Sequence, residues 1–343
     1  MKKAYLTAVG SIELRNEPAP VIERDDEVRI RVHSVGVCGS DMHYFRSGRI
    51  GRQIVKFPWA VGHECAGVID QAGPSSGLAA GTRVAVDPLA PCLACDQCAG
   101  GREHTCRNQK FLGVPDQMPG AMAEYLVLPG RCCVAIPDSM TFHQAVMTEP
   151  FAIALWAVKL AGDVAGKSVG ILGSGPVGLC VLEALKLAGA GRVFATDLLD
   201  YRVALAAKMG AAWSGKAEDV EESMASRCPL GLDVVFECAG DNDAIDQAAR
   251  LLAPGGLLVL VGIPEGDRIS FDMNYLRRKE LRVQNVRRQN GCTRRAVELT
   301  ASGRANLDPI VTHRYEFDRS QEAFDTVSRY ADGVVKAMID MVG

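Results

Sequence analysis

Four cysteines, Cys92, Cys95, Cys98 and Cys106, stand in a C-x2-C-x2-C-x7-C run within a loop that carries Gly and Pro. Thiolates at that spacing can close a tetrahedral shell on one ion, with Zn–S bonds of about 2.3 Å and no open position for a substrate. The lobe from Pro91 to Arg107 has almost no apolar residues to bury, which argues against four unrelated core cysteines. An iron–sulfur cluster is the rival occupant, since thiolate quartets hold clusters too. The bacterial cluster run closes with x3-C-P, and this one does not. A second set is scattered: Cys38 in C-G-S-D-M-H, His63 and Glu64 in G-H-E-C-A-G, and Glu149 before Pro150. One thiolate, one imidazole and one carboxylate make a three-ligand shell that leaves a fourth position for water or substrate, as a catalytic metal requires. Singly, Cys38 reads as a small buried hydrophobe and His63 as a core histidine. Together, beside a thiolate lobe, they point to metal chemistry.

A third constellation is Gly173-Ser174-Gly175-Pro176-Val177-Gly178, a G-x-G-x-x-G between an apolar run and a helical pattern. Its first glycine permits a tight turn, its second lets backbone approach a pyrophosphate, and its third lets helix and strand pack closely. The helix behind it offers free N–H groups and partial positive charge to the phosphates. Asp197 ends the next apolar run, where a carboxylate can bind both ribose hydroxyls and would repel a 2′-phosphate, favouring NAD over NADP. A helix-capping role is the plain alternative for Asp197. Arg202 can lie over the adenine or stand solvated on its helix.

The elements that must carry these residues fall into two styles. Up to about residue 150 the chain shows short β-like runs separated by Gly, Pro and Asp, such as Glu27-Val28-Arg29-Ile30-Arg31-Val32 with period two. From about 167 strands and helices alternate: strands at 168–172, 192–196, 233–237 and 256–261, and helices at 177–187, from Asp200 as N-cap to near Gly210, and at 242–252. Such βα units imply a parallel, doubly wound sheet. Helices at 293–301 and 320–330 and a strand at 334–341 follow.

Composition sets the outer limits. The chain has 343 residues, 48% hydrophobic and 23% charged, an ordinary globular balance for two domains. Lys plus Arg is 38 and Asp plus Glu is 41, a net charge of −3, so nothing attracts nucleic acid or anionic membrane and the expected partner is a small molecule. The most apolar long stretch, Leu251 to Pro264, is broken by Pro254-Gly255-Gly256 and falls short of the about 20 residues a membrane span needs. Met1-Lys2-Lys3-Ala4-Tyr5 leads into no apolar run, so a cytoplasmic location is expected, where the 12 cysteines favour metal ligation over disulfides. Cys65, Cys132, Cys133, Cys180, Cys228, Cys238 and Cys292 lack ligand spacing and read as buried small residues.

Taken in order, Cys38-Gly39-Ser40-Asp41, Gly62-His63-Glu64-x-x-Gly67, the Cys92/95/98/106 lobe, Glu149-Pro150 and Gly173-x-Gly-x-x-Gly178 resemble the zinc-dependent medium-chain dehydrogenases over essentially the whole chain. Tyr44-Phe45, Gly48-Arg49-Ile50-Gly51 and Ile54-Val55-Lys56 look like the sorbitol (polyol) dehydrogenase branch. The resemblance implies an α/β fold with a β-rich GroES-like catalytic domain, residues 1–153 and 290–343, and a Rossmann domain, residues 154–289, that binds NAD. It implies Cys38, His63 and Glu64 on a catalytic zinc with Glu149 beside it, directly or through water, and Asp41 orienting His63. Tyr44 and Phe111 become pocket walls, and Val177, Asp197, Arg202 and Val261-Gly262-Ile263 become cofactor contacts. A homo-oligomer, tetramer or dimer, is implied as well.

One departure bears on the substrate. Where that branch has Arg followed by an aromatic residue, this chain has Arg287-Arg288. A second guanidinium can read a carboxylate or phosphate, since the Arg fork matches both; a subunit contact or a solvated surface is the alternative. The expected reaction is oxidation of a secondary alcohol of a sorbitol- or xylitol-like polyol to a ketose. Ser40, two positions after Cys38, can take the alcohol proton, and His43 can pass it towards solvent. Dehydrogenation of a sugar acid, of a polyol phosphate or of a threonine-type amino alcohol is the nearest other reading, and an iron–sulfur electron carrier the one from another class.

Overall fold

Val28, Ile30 and Val32 alternate with polar neighbours and are fully buried, and the strand they form, Glu27–Gly36, is the axis of one half of the protein. In the computed structural model, which describes residues 1–341, the chain divides into two units. The first comprises Met1–Glu149, Thr293–Arg304 and the chain from Val311; the second comprises Pro150–Cys292 and Ala305–Ile310. The six residues Ala305–Ile310 thus leave the segment that sequence assigns wholly to the catalytic domain.

The first unit is a mixed sheet in the order Cys133–Ala135, Arg83–Val86, Glu64–Ala72, Glu27–Gly36, Lys336–Asp340 and Val311–Glu316. The axial strand is shared. Tyr125–Pro129 pairs with residues 27–31 and Lys336–Asp340 with residues 34–36, while Glu64–Ala72 runs antiparallel along nearly its whole length. Its core is aliphatic and aromatic, with Ile30, Ile69, Leu128, Phe324 and Ile339 packed together.

The second unit is an all-parallel six-stranded sheet in the order Trp213–Lys216, Arg192–Asp197, Ser168–Leu172, Leu232–Glu237, Leu252–Leu260 and Arg282–Asn285. The order reverses between Ser168–Leu172 and Leu232–Glu237, the switch point at which doubly wound sheets bind ligands. Asp200 does not cap the helix Asp200–Lys208; Leu199 holds the cap position, and its N–H donates to Asp197 Oδ1 at 3.0 Å. Asp200 lies one residue later, in the first turn, where its charge complements the helix dipole and pairs with Lys216 at 2.8 Å. No helix among the described residues is long and apolar enough to cross a membrane.

Candidate metal centres and nucleotide site

The cysteine loop gathers its four sulfurs into one shell. Sγ–Sγ distances are 3.6 Å for Cys95–Cys98, 3.8 Å for Cys95–Cys106 and 3.4 Å for Cys92–Cys106. A tetrahedron with Zn–S bonds of about 2.3 Å has sulfur edges of about 3.8 Å, so the shell fits a single ion. A cluster of several irons with bridging sulfides would hold its thiolates farther apart. Backbone N–H groups of Arg107 and Cys98 draw the Cys95 thiol down to about 6, whereas desolvation pushes Cys98 up to about 12. Thiols packed this closely cannot all ionise without a cation between them.

The scattered set also converges, at one end of the first unit's sheet. Cys38 is the N-cap of the helix Gly39–Ser47, and Asp41 in that helix accepts hydrogen bonds from Cys38 N–H and Gly62 N–H, each at 3.1 Å. One carboxylate thereby ties the Cys38 turn to the residue before His63. His63 Nδ1 lies 3.7 Å from Asp41 Oδ1, within ion-pair range. His63 opens into Glu64, the first residue of Glu64–Ala72, and donor atoms of Cys38, His63 and Glu64 all lie within 4.8 Å of one another. Burial disfavours the imidazolium, but the charges of Cys38 and Asp41 outweigh it and hold His63 well above its usual pKa. Two anionic or neutral donors and an imidazole this close are suited to a divalent metal.

Glu149 is buried, and its Oε2 has no hydrogen-bond partner among the described residues. Desolvation, reinforced by repulsion from Glu64, raises its pKa to about 7. It stands outside the group whose donor atoms lie within 4.8 Å of one another. Phe111 is buried with its ring 5.6 Å from that of His63, and Tyr44 is buried with its hydroxyl 3.3 Å from Gln53 Oε1. Ser40 and His43 are half-buried in the helix that begins after Cys38.

Sequence reasoning missed Lys336. This lysine is 1% exposed, donates to Val37 O at 3.0 Å and pairs with Glu64 Oε2. Gly36, directly opposite Glu64 in the sheet, makes room for the pair: a Cβ there would lie 2.3 Å from Glu64 Oε2. The signal was a lysine in the middle of Val334-Val335-Lys336-Ala337-Met338-Ile339, an otherwise apolar strand.

In the second unit Gly175 caps the helix Pro176–Leu187, with Pro176 at its first position and Val177 half-buried behind it. A Cβ at Gly178 would lie 1.9 Å from Gly173 O, so helix and loop touch through bare backbone. A Cβ at Gly175 would meet only Arg202, at 3.6 Å, which leaves an open cradle at the helix N-terminus of the kind a pyrophosphate fills. Asp197, at the end of the neighbouring strand, accepts from Ser174 N–H at 2.8 Å, and Arg202 lies 3.6 Å from it. Val261 and Gly262 are half-buried and Ile263 is exposed, next to the same strand ends. Arg287 is exposed; Arg288 is half-buried and holds a left-handed backbone, φ +51°. Both arginines belong to the second unit, whereas Tyr44 and Phe111 belong to the first.

Residues 24–138 match the family model described as the alcohol dehydrogenase GroES-like domain, and residues 176–302 that of the zinc-binding dehydrogenases. Over 343 aligned residues the chain is 33% identical to sorbitol dehydrogenase of Bacillus subtilis, covering 99% of this chain and 97% of that one. It is 32% identical to L-idonate 5-dehydrogenase of Vitis vinifera, covering 98% and 94%. A solved protein of Sinorhizobium meliloti 1021, described as a zinc-binding dehydrogenase and bound to NADP, superposes with TM-score 0.90 at 31% identity, with 99% of each chain covered. The chain belongs to the zinc-dependent medium-chain alcohol dehydrogenases, oxidoreductases that use zinc and a nicotinamide cofactor. Within that family it falls in the sorbitol dehydrogenase-like branch. The iron–sulfur reading falls with this, in keeping with a thiolate shell sized for one ion.

Proposed function

We propose that the protein oxidises a secondary alcohol of a polyol to the ketose, with NAD as hydride acceptor and two zinc ions per chain. The observation that carries this is the convergence of Cys38, His63 and Glu64, three donors of catalytic type, beside a buried Glu149. Cys38, His63 and Glu64 would hold the catalytic zinc, and Cys92, Cys95, Cys98 and Cys106 the structural one. When bound, the catalytic zinc supplies a Lewis acid that makes an alcohol acidic near neutral pH, and the nicotinamide supplies a hydride acceptor.

The chain's own residues do the rest. Phe111 beside His63 keeps water from the imidazole, and the buried Tyr44 serves as a further pocket wall. The alcohol proton goes to Ser40 Oγ, and His43 hands it towards solvent. Asp197 accepts the ribose hydroxyls and sets a negative charge where a 2′-phosphate would lie, so NAD is preferred over NADP. Gly173 to Gly178 cradle the pyrophosphate, Arg202 flanks the adenine, and Val261, Gly262 and Ile263 face the nicotinamide end.

A second reading of the substrate has its own observation. Arg288 holds a left-handed backbone that a branched or long side chain adopts only under strain, a mark of functional positions. On this reading Arg288, with Arg287, binds the anion of a sugar acid or polyol phosphate. NAD reduction measured against neutral polyols, sugar acids and polyol phosphates tests both. With Arg288→Ala, the Michaelis constant for an anionic substrate should rise about tenfold or more while that for a neutral polyol stays put. An unchanged ratio leaves the neutral polyol. Turnover of none of the three classes would refute the proposal itself.

A further inference from the structure

The nucleotide reading leaves the buried carboxylate of Glu237, in the second unit, without a task. Glu237 closes the strand Leu232–Glu237 on the far side of the switch point and is 1% exposed. Its Oε1 accepts from Ala239 N–H at 2.7 Å and Gly240 N–H at 2.6 Å. Its main-chain carbonyl accepts from Val261 N–H at 2.8 Å and Gly262 N–H at 2.9 Å. One residue therefore anchors two separate turns at the carboxyl ends of adjacent strands.

Those turns approach one another main chain to main chain. A Cβ at Gly262 would lie 2.2 Å from Gly240 N and 2.7 Å from Glu237 Oε2, and a Cβ at Gly240 would lie 2.4 Å from Ile263 O. On the other side, a Cβ at Gly173 would lie 2.8 Å from Ala239 N. The phosphate loop, the turn after Glu237 and the turn at 261–263 are thus stacked backbone on backbone, with the Glu237 carboxylate wedged among them. Burying a carboxylate is costly: desolvation raises its pKa, although the N–H groups of Gly240 and Ala239 oppose the shift.

In a doubly wound sheet the two mononucleotide-binding halves take the two halves of the dinucleotide. The glycine loop and Asp197 belong to one half, Glu237 and Val261 to Ile263 to the other. We propose that Glu237 is a positioning residue for the nicotinamide half of the cofactor: its carboxylate holds the 239–240 turn against the 261–263 turn that its own main-chain carbonyl anchors, and on these two turns that half rests. Glu237 touches no reacting atom. The inference rests on the cofactor placement given above.

The test compares NADH with ADP-ribose, which lacks the nicotinamide, by equilibrium titration on zinc-loaded protein. Glu237→Ala removes the acceptor of both turn N–H groups and should weaken NADH about tenfold or more while ADP-ribose stays within about twofold. Glu237→Gln keeps a neutral acceptor and should restore most of the NADH affinity. Equal weakening of both ligands would mean a merely structural role and overturn the proposal, as would unchanged NADH binding. If Glu237→Ala fails to fold, Glu237→Gln decides: about threefold weaker NADH with unaltered ADP-ribose supports the clamp, and no difference between the ligands refutes it. Gly175→Ala is the control on the premise. It should abolish both ligands, and if it leaves both intact the placement of the cofactor is wrong rather than the role of Glu237.

Discussion

Replacing Lys336 by Met isolates the charge that the buried Glu64 depends on. Both side chains are 1% exposed, so water cannot take over when the ammonium is removed. Breaking a buried ion pair from one side costs about 3–5 kcal/mol, because the remaining charge is left uncompensated. For a unit of this size that lowers the unfolding midpoint by roughly 6–20 °C. The loss should be full in chelator-treated protein and smaller with zinc bound, since the metal is then a second counter-charge for Glu64. Circular dichroism melts of Lys336→Met, Glu64→Gln and the double variant complete a cycle. The double variant removes both charges and should regain most of what Lys336→Met loses. If the single losses simply add, or if zinc-loaded and metal-free protein fall alike, Lys336 does not act through Glu64.

Metal analysis of Cys38→Ser should show one zinc lost with activity abolished and the fold kept, whereas Cys95→Ser should lose the other ion and much of its stability, because a closed thiolate site contributes folding energy outright. Two zincs in an active Cys38→Ser protein would contradict the assignment. Gly178→Ala, with a Cβ driven to 1.9 Å from Gly173 O, should lower the melting midpoint, while Gly175→Ala, with space around it, should melt normally. Both should bind NADH poorly in a fluorescence titration. His33 stacks on Phe142 at 4.2 Å between ring centroids, and burial, with Arg31 and Arg83 adding repulsion against a weaker pull from Asp340, holds its pKa below the ordinary 6.5. The unfolded chain binds that proton first, so stability falls as pH drops through about 6.5 and levels off below the folded value; His33→Phe should flatten that window in denaturant melts at stepped pH.

The four-cysteine and phosphate motifs were legible because each is local: Cys92 to Cys106 and Gly173 to Gly178 are single loops whose spacing alone restricts what they can hold. The parallel sheet was legible for the same reason, since each βα unit announces itself within a few dozen residues. Lys336 was not, because 272 positions separate it from Glu64 and only the sheet register brings them together. Glu237 was hidden differently. Its partners are main-chain N–H groups, which no side-chain pattern records, and its importance shows only once the glycines at 240 and 262 are seen to touch. Asp200 misled because an acid before a helical run fits a cap, whereas the helix begins one residue earlier, with Leu199 O accepting from Val203 N–H.

The first unit is not continuous in the chain, and this orders events during synthesis. Gly36 and Lys336, neighbours in the folded sheet, leave the ribosome about 15–60 s apart at about 5–20 residues per second. Through that interval the second half of the axial strand has one open edge, and Glu64 awaits its ammonium partner. The nucleotide-binding sheet from Ser168 to Asn285 is meanwhile fully translated and free to close. The nascent catalytic half must therefore guard an unpaired strand edge, a template for aggregation, until Lys336–Asp340 is made. The donor set around Cys38 acquires its full electrostatic surroundings only when Lys336–Asp340 docks.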